Sequence, residues 1–152
     1  MDKKDLKDPL IKSLVSEGLI THEQAVTLEI EKERSRSTLA EALRGLSLLD
    51  EESLIGFLSD KVHTEVFSLQ EFIPEREILE LFPPGFAGKY RIVPLEKEGN
   101  TLKVGLSDPF KMEAVEELRF HTGLFIKPYL VSKESLDSFI STYCVSLGKT
   151  LT

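Results

Sequence analysis

The stretch that decides the fold is residues 83–131, PPGFAGKYRIVPLEKEGNTLKVGLSDPFKMEAVEELRFHTGLFIKPYLV. It contains two apolar-rich runs, residues 91–95 and 101–106, joined by the polar residues 96–100. The Gly-Asn step at the end of that joint predicts a β-hairpin. A further apolar run, residues 124–131, predicts a third strand. Helices on either side in the sequence would cover so small a sheet.

A crossover helix is predicted between the second and third strands. Asp108 can act as its N-cap, and Pro109 suits the first helical position. Gly123 is predicted to end it as a C-cap. The apolar residues that recur at helical spacing are Phe110, Ala114, Val115, Leu118 and Phe120. After the third strand, Ser132 is predicted to cap an amphipathic last helix that carries Leu136, Phe139, Ile140 and Tyr143.

A weak internal repeat precedes this unit. Residues 10–32 align without gaps on residues 39–61, so that Leu14 corresponds to Leu43. Thr21 in the first copy and Asp50 in the second each stand where a helix N-cap is required. Each copy therefore predicts a helical hairpin. Because one hairpin cannot bury its apolar stripe alone, the two copies predict a four-helix lobe.

The predicted fold class is thus α+β. A helical lobe spans residues 1–61, a connection spans residues 62–82, and a small α/β lobe spans residues 83–152. Residues 32–38 are predicted to be a polar link between the two helical copies. Within the rest of the chain, residues 66–69 predict a short strand, residues 74–82 a brief helix, and residues 85–90 a single helical turn.

Composition narrows the possible partners. The 152 residues are 41% hydrophobic, and 19 basic against 26 acidic side chains give a net charge of −7. This balance argues against a nucleic acid or an anionic membrane as the main partner. No apolar run reaches the roughly 18 to 20 residues that span a bilayer, and no signal peptide is visible, so a cytoplasmic location is expected. Cys144, the single cysteine, excludes an intrachain disulfide and is predicted to be a small buried residue near a helix end.

These motifs, in this order and spacing, resemble the N-terminal domain of the assembly ATPases of type II secretion and type IV pilus systems. The resemblance covers roughly residues 8–144. The motifs on which it rests are GLIT at residues 18–21, KYRIVPL at 89–95, LKVGLSDP at 102–109, ELRFHTG at 117–123 and the last helix with Tyr143. It implies a noncatalytic module that precedes the ATPase core and docks on the cytoplasmic part of an inner-membrane platform protein.

In the pilus and MshE-type branch of that family, the paired helical motif binds cyclic di-GMP. There, each copy begins Arg-Leu-Gly, has a middle Gly and ends in Gln. The Arg positions here are Pro9 and Thr38, the early Gly positions are Ile11 and Ala40, the middle positions are Gly18 and Ser47, and the Gln positions are Lys32 and Lys61. The copies keep the apolar scaffold but have lost most residues that would bind a planar anion. Lys32, Lys61, Arg34 and Arg36 still offer positive charge.

Catalytic constellations are not visible in the sequence. Gly148-Lys149-Thr150 matches the end of a phosphate-binding loop, but Tyr143 stands where its first Gly is required. His22, His63 and His121 lack a second ligand at metal spacing, so no metal or cofactor is expected. The carboxylate pairs Glu51-Glu52 and Glu116-Glu117 are adjacent on helices and point in different directions. The chain as given is predicted not to hydrolyse ATP.

Two function classes remain open. The first is a docking and regulatory domain that offers a sheet edge or groove to a platform protein at the inner membrane, with a downstream ATPase core as a second partner. The second is a sensor that binds cyclic di-GMP between the helical copies. The loss of the Arg, Gly and Gln residues favours the first. The sequence leaves open whether the chain is complete or the front of a larger ATPase, and it predicts a monomer.

Overall fold

A computed structural model describes residues 5–144 of the chain. Within that range, eight α-helices, a three-stranded sheet and one π-helical turn follow one another. Their bounds, in chain order, are α1 (Pro9–Ser16), α2 (His22–Ser35), α3 (Leu39–Gly45), α4 (Glu51–Val62), α5 (Arg76–Leu79), α6 (Phe86–Tyr90), β1 (Ile92–Glu98), β2 (Thr101–Leu106), α7 (Glu113–Thr122), β3 (Phe125–Leu130), α8 (Lys133–Phe139) and the π-turn (Ile140–Cys144). The predicted α+β class is confirmed.

The two helical copies form two similar hairpins, α1–α2 and α3–α4. Each turns through a residue in the left-handed region, Gly18 with φ 76° and Ser47 with φ 53°. The same backbone bond follows in both, since the N–H of Leu19 donates to the Leu14 carbonyl and the N–H of Leu48 to the Leu43 carbonyl. The repeat seen in the sequence is therefore a repeat in backbone geometry.

The predicted caps of the second helices are also present. Thr21 accepts from the N–H of Gln24, and Asp50 accepts from the N–H of Ser53. The predicted link at residues 32–38 is too long, because α2 continues to Ser35. The basic residues in the last turn of α2 interact favourably with the partial negative charge at the C-terminal end of a helix. Arg36 ends α2 with φ 55°.

The sheet has the order β1-β2-β3. β1 and β2 pair antiparallel, and β2 and β3 pair parallel from Thr101 opposite Phe125 to Leu106 opposite Leu130. The predicted hairpin and crossover are thus confirmed. The first strand, however, was predicted at residues 91–95 and runs from Ile92 to Glu98. It extends along all of β2 because Gly99, with φ 59°, makes the turn within two residues.

The start of the crossover helix was predicted wrongly. α7 begins at Glu113, and Asp108 does not cap it. Asp108 instead accepts from the N–H of Phe110 at 3.1 Å, which closes a local turn through Pro109 before the helix begins. Phe120, predicted on the apolar face, is 88% exposed, and the buried face of α7 consists of Ala114, Val115 and Leu118. Gly123 ends the helix as predicted, with φ 70°.

The connection is less regular than the sequence suggested. The predicted strand at residues 66–69 is reduced to an isolated bridge between Val66 and Leu130. The predicted helix at residues 74–82 is reduced to α5, four residues long. The predicted last helix is confirmed: Ser132 caps α8, which continues into the π-turn.

One hydrophobic core cluster extends through both lobes. Its fully buried large side chains are Ile11, Leu14, Leu28, Leu43, Leu54 and Leu58 in the helical lobe, and Ile92, Leu95, Leu102, Leu118, Leu130 and Leu136 in the α/β lobe. Among the residues described, no helix combines the length and the apolar character needed to cross a bilayer. The predicted Gly148-Lys149-Thr150 segment lies outside the described residues.

Candidate functional site

Two ligand positions of the first helical copy, Ile11 and Lys32, are engaged in contacts within the chain. Pro9 is the exposed first residue of α1, and Ile11 is fully buried in the core. Asp8 caps α1 by accepting from the N–H of Leu10 at 2.8 Å. Its other oxygen lies 3.6 Å from Nζ of Lys32, so the terminal cation of this copy already has a carboxylate partner.

Glu29 contributes a second carboxylate at the same end of α1. It is 7% exposed, and its Oε2 accepts from the N–H groups of Lys7 at 2.6 Å and Asp8 at 2.8 Å. Free N–H groups at a helix start are where proteins bind anions. Here an internal anion takes them. Glu29 was not predicted from the sequence, although it stands where the second copy has the buried Leu58, and a charge at a repeated apolar position is a usable signal.

The second copy shows the same pattern with different partners. Thr38 caps α3 and donates its hydroxyl to Asp108 at 2.6 Å, while Ala40 is fully buried. Lys61 pairs with Glu17 of the first copy at 2.5 Å. That hydrogen bond raises the pKa of Lys61 above its ordinary value. The structure therefore brings each terminal lysine to a carboxylate, and the turn residues Gly18 and Ser47 remain exposed.

Polar groups join the helical lobe to the α/β lobe, and we call them the inter-lobe contact: the side chains of Thr38, Arg44, Glu51 and Asp108, the Ser107 carbonyl and the Lys133 N–H. Arg44 binds Glu51 through two nitrogens, at 3.0 and 2.7 Å, and donates to the Ser107 carbonyl at 2.9 Å. Glu51 also accepts from the N–H of Lys133, where α8 begins, at 2.7 Å. Burial raises the pKa of Glu51, but the bonds from Arg44 and Lys133 outweigh it, so the pKa lies below its ordinary value.

An open groove lies next to this contact, between α4, residues 66–73 and α8 with its π-turn. Its volume is about 1090 Å³. Aromatic rings line it one after another. The ring centre of Phe72 lies 5.2 Å from that of Phe67 and 6.2 Å from that of Phe139, and the ring centres of Phe139 and Tyr143 are 4.9 Å apart. Residues 66–69 were predicted as a short strand, and a groove at this place was not predicted, although FSLQEFI at residues 67–73 is rich in apolar side chains.

The sheet edges are poor sites for adding a strand. The outer strands β1 and β3 carry Pro94 and Pro128, and both prolines are opposite Val104 in the same row of the sheet. Proline has no N–H to donate, which is why it protects edge strands from pairing. Of the two surfaces expected for docking, edge or groove, the geometry favours the groove.

Among residues 5–144, no group of three or more His, Cys, Asp or Glu residues is placed to hold a metal ion. Nε2 of His121 lies 3.9 Å from a carboxylate oxygen of Glu117 on the same helix. Cys144, predicted to be buried, is half-buried, and its burial raises the pKa of the thiol to about 11. Such a thiol is poorly nucleophilic at neutral pH.

Comparison with known families and sequences gives consistent matches. The MshEN domain matches residues 63–148. The type IV pilus assembly ATPase PilB of Myxococcus xanthus is 30% identical over 138 residues, which are 91% of this chain and 24% of that protein. The enzyme of the same name from Pseudomonas aeruginosa is 25% identical over 127 residues, or 84% of this chain and 22% of that protein. The chain thus spans about a quarter of the length of these relatives.

Solved structures match over almost the whole fold. The structure of MshE with cdg superposes with a TM-score of 0.76 at 22% identity, covering 90% of this chain and 99% of that one. The N-terminal domain of XpsE superposes with a TM-score of 0.73 at 16% identity, covering 94% and 99%. At these identities the match concerns the fold.

Proposed function

The chain belongs to the MshEN domain family, and from that membership we propose that it is a noncatalytic docking and regulatory domain of a type II secretion or type IV pilus assembly ATPase. It binds the cytoplasmic part of an inner-membrane platform protein. The observation that carries the proposal is the combination of this fold with terminal lysines that already have partners in the chain, Lys32 with Asp8 and Lys61 with Glu17. A domain that has lost its ligand contacts can still bind a partner protein through its surface.

The proposal also specifies a cellular location and a second partner. The domain works at the cytoplasmic face of the inner membrane, which it reaches through the platform protein, and an ATPase core lies next to it. The relatives are about four times as long as the matched region, which leaves room in them for such a core. The catalytic work belongs to the core, and this domain positions it.

Binding to platform proteins tests the proposal directly. The purified 152-residue chain is titrated calorimetrically with the cytoplasmic domains of the pilus and secretion platform proteins encoded in the same genome. We expect saturable binding by at least one of them, with a Kd in the micromolar range, typical of a modest interface. No binding by any of them would overturn the proposal. Measurable ATP hydrolysis by the chain would overturn its noncatalytic part.

The second candidate is a cyclic di-GMP sensor. It is favoured by the match to MshE with cdg, which we read as cyclic di-GMP, and by the left-handed turn kept at Gly18. It is opposed by the pairing of Lys32 with Asp8 and of Lys61 with Glu17. Calorimetric titration with cyclic di-GMP separates the two: we expect no heat of binding, and stoichiometric micromolar binding would favour the sensor.

A further inference from the structure

We propose that the groove between α4, residues 66–73 and α8 binds a basic amphipathic helix of a partner protein. The inference rests on the proposed docking function and names the surface and the chemistry of the segment that it receives. The groove combines apolar side chains with acidic ones, and both properties can be assigned to particular residues.

The charge of the walls has one sign. Four acidic residues line the groove, Glu51, Glu52, Glu71 and Glu134. No Lys or Arg in the described part of the chain lines it. Glu51 is already bound to Arg44. The other three are exposed and form no ion pair within residues 5–144. Uncompensated carboxylates around a channel attract a cationic partner and fix its orientation.

The floor of the groove is apolar and partly uncovered. Phe67, Phe72 and Tyr143 are partly buried against the core, while Val66 is 53% exposed and Ile73 is 78% exposed. Burying such side chains is the main source of binding free energy in a groove of this kind. The complementary segment therefore needs one apolar face as well as its charges.

The volume of the groove is sufficient for a short helix. A helix about 10 Å across that rises about 1.5 Å per residue occupies roughly 120 Å³ per residue. The groove volume of about 1090 Å³ thus corresponds to between two and three turns of helix. Two other occupants are disfavoured: a second copy of the chain would bring its own charge of −7 to the acidic walls, and an anionic ligand would meet the same repulsion.

A pair of peptides tests the proposal on the full 152-residue chain. Both are about 18 residues long and carry Leu at positions i, i+3, i+4 and i+7; one has Lys at most other positions and the other has Glu. Fluorescence anisotropy measures their binding at about 0.15 M salt. We expect the Lys peptide to bind saturably and the Glu peptide to bind at least about tenfold more weakly. Equal binding of both would overturn the proposal.

Because the whole chain is acidic, the test needs variants matched in net charge. The groove variant is Glu52→Lys/Glu71→Lys/Glu134→Lys. The control variant, Glu23→Lys/Glu75→Lys/Glu113→Lys, changes the same number of exposed glutamates away from the groove. Two of the three sites in each set lie in the first turn of a helix, so the cost to helix stability is balanced.

We expect the groove variant to weaken Lys-peptide binding at least about tenfold more than the control variant does. Equal weakening by both sets would show general attraction to an acidic protein and would overturn the proposal. A matched apolar pair gives a second measurement. Ile73→Ser, in the groove, should weaken binding, whereas Ile30→Ser, at a residue 50% exposed on α2, should not. Equal effects of these two would also contradict the proposal.

The groove and the proposed function can fail separately. If a platform domain binds the wild-type chain and the groove variant equally well, docking stands and the groove is not its site. If no platform domain binds, the peptide titrations still decide whether the groove accepts a basic helix. A wild-type chain that dimerises at the peptide concentrations used, and that no longer does so when the apolar groove residue is changed in Ile73→Ser, would identify a second copy as the occupant and overturn the proposal.

Discussion

Gly18 and Ser47 occupy equivalent turns, yet only one of them is a glycine. Both have positive φ, and a Cβ at Gly18 would meet no atom within 4 Å, so the effect of substitution there comes from the backbone alone. A side chain in the left-handed region costs about 1 kcal/mol. We expect Gly18→Ala to lower the free energy of unfolding by about 1 kcal/mol, and Ser47→Gly to raise it by up to about 1 kcal/mol.

Chemical denaturation followed by circular dichroism measures both changes. Gly56→Ala, inside α4, is the control of opposite sign, because alanine is favoured over glycine there by up to about 1 kcal/mol. A Ser47→Gly variant that is less stable than the wild type would contradict the argument from backbone geometry.

Glu29 binds the backbone just before the start of α1. Its carboxylate accepts two backbone N–H groups that would otherwise be unpaired near the start of α1. Glu29→Leu introduces the residue type of the second copy but removes both bonds, and we expect a loss of about 1–3 kcal/mol in the free energy of unfolding. Glu29→Gln keeps an acceptor and should lose less. Equal losses in the two variants would show that the charge, rather than the acceptor, is what matters.

At the scale of elements, the caps of α2 and α3 form a natural comparison. Thr21 and Thr38 both make a capping box, with Gln24 and Glu41 respectively, but only Thr38 also donates to Asp108 across the inter-lobe contact. Thr21→Ala should cost about 1 kcal/mol, the value of a cap. Thr38→Ala should cost about 1 kcal/mol more, because Asp108 then loses a partner.

A double-mutant cycle with Asp108→Ala isolates the extra part. The coupling energy between Thr38 and Asp108 should be favourable, and that between Thr21 and Asp108 should be close to zero. If both couplings vanish, the hydroxyl-carboxylate bond adds nothing to the joining of the lobes.

Glu51 links three helices and should make stability depend on pH. Its pKa is lowered below 4.5 because the bonds from Arg44 and Lys133 favour the carboxylate and outweigh burial. A lowered pKa in the folded state gives stability that is present above the unfolded pKa and is lost as the pH falls through the folded one. We therefore expect Glu51→Gln to be less stable than the wild type at pH 7, with the difference shrinking below about pH 4.

Urea denaturation at a series of pH values measures this difference. Glu52→Gln is the control, since Glu52 is the exposed neighbour of Glu51 on the same first turn of α4. A Glu51→Gln variant whose deficit stays constant from pH 7 to pH 3 would contradict the assignment.

At the scale of the whole molecule, the sequence pattern predicted the features that depend on residues close together in the chain. Apolar spacing and the caps at Thr21, Asp50 and Ser132 gave the helices, and the Gly99 turn with Gly123 gave the hairpin and the crossover. Asp108 was misassigned because it stood before Pro109, a local helix-start signal, whereas its bond partner Thr38 is distant in the chain. The groove was missed for the same reason, since its walls come from three separate segments. Contacts between distant segments leave no periodic signal.

The family resemblance was predicted from motif order, and it is confirmed by the MshEN match and the shared fold. For the ligand positions, the sequence predicted only that most of the ligand-binding residues have been lost. That Lys32 and Lys61 would be paired with Asp8 and Glu17 depends on how the helices pack, which the repeat alone does not specify. The predicted lobe boundaries at residues 61 and 83 stay predictions.

Those boundaries lead to a prediction about cooperativity. All three tyrosines, Tyr90, Tyr129 and Tyr143, lie in the α/β lobe, and the chain has no tryptophan. Tyrosine fluorescence therefore reports that lobe, whereas far-ultraviolet circular dichroism is weighted towards the helical one. Because one core and the inter-lobe contact join the lobes, we expect both probes to give the same unfolding midpoint in the wild type.

Arg44→Ala should separate the two midpoints. The substitution removes the bonds from Arg44 to Glu51 and to the Ser107 carbonyl, and it leaves Glu51 without its cation. The lobe that is less stable by itself then unfolds first. Arg34→Ala, which removes an exposed pair with Glu31 within α2, is the control and should leave the midpoints together. If the wild type already shows two midpoints, the lobes are independent domains, and a partner that binds the groove, whose walls come from both lobes, would fix their relative position.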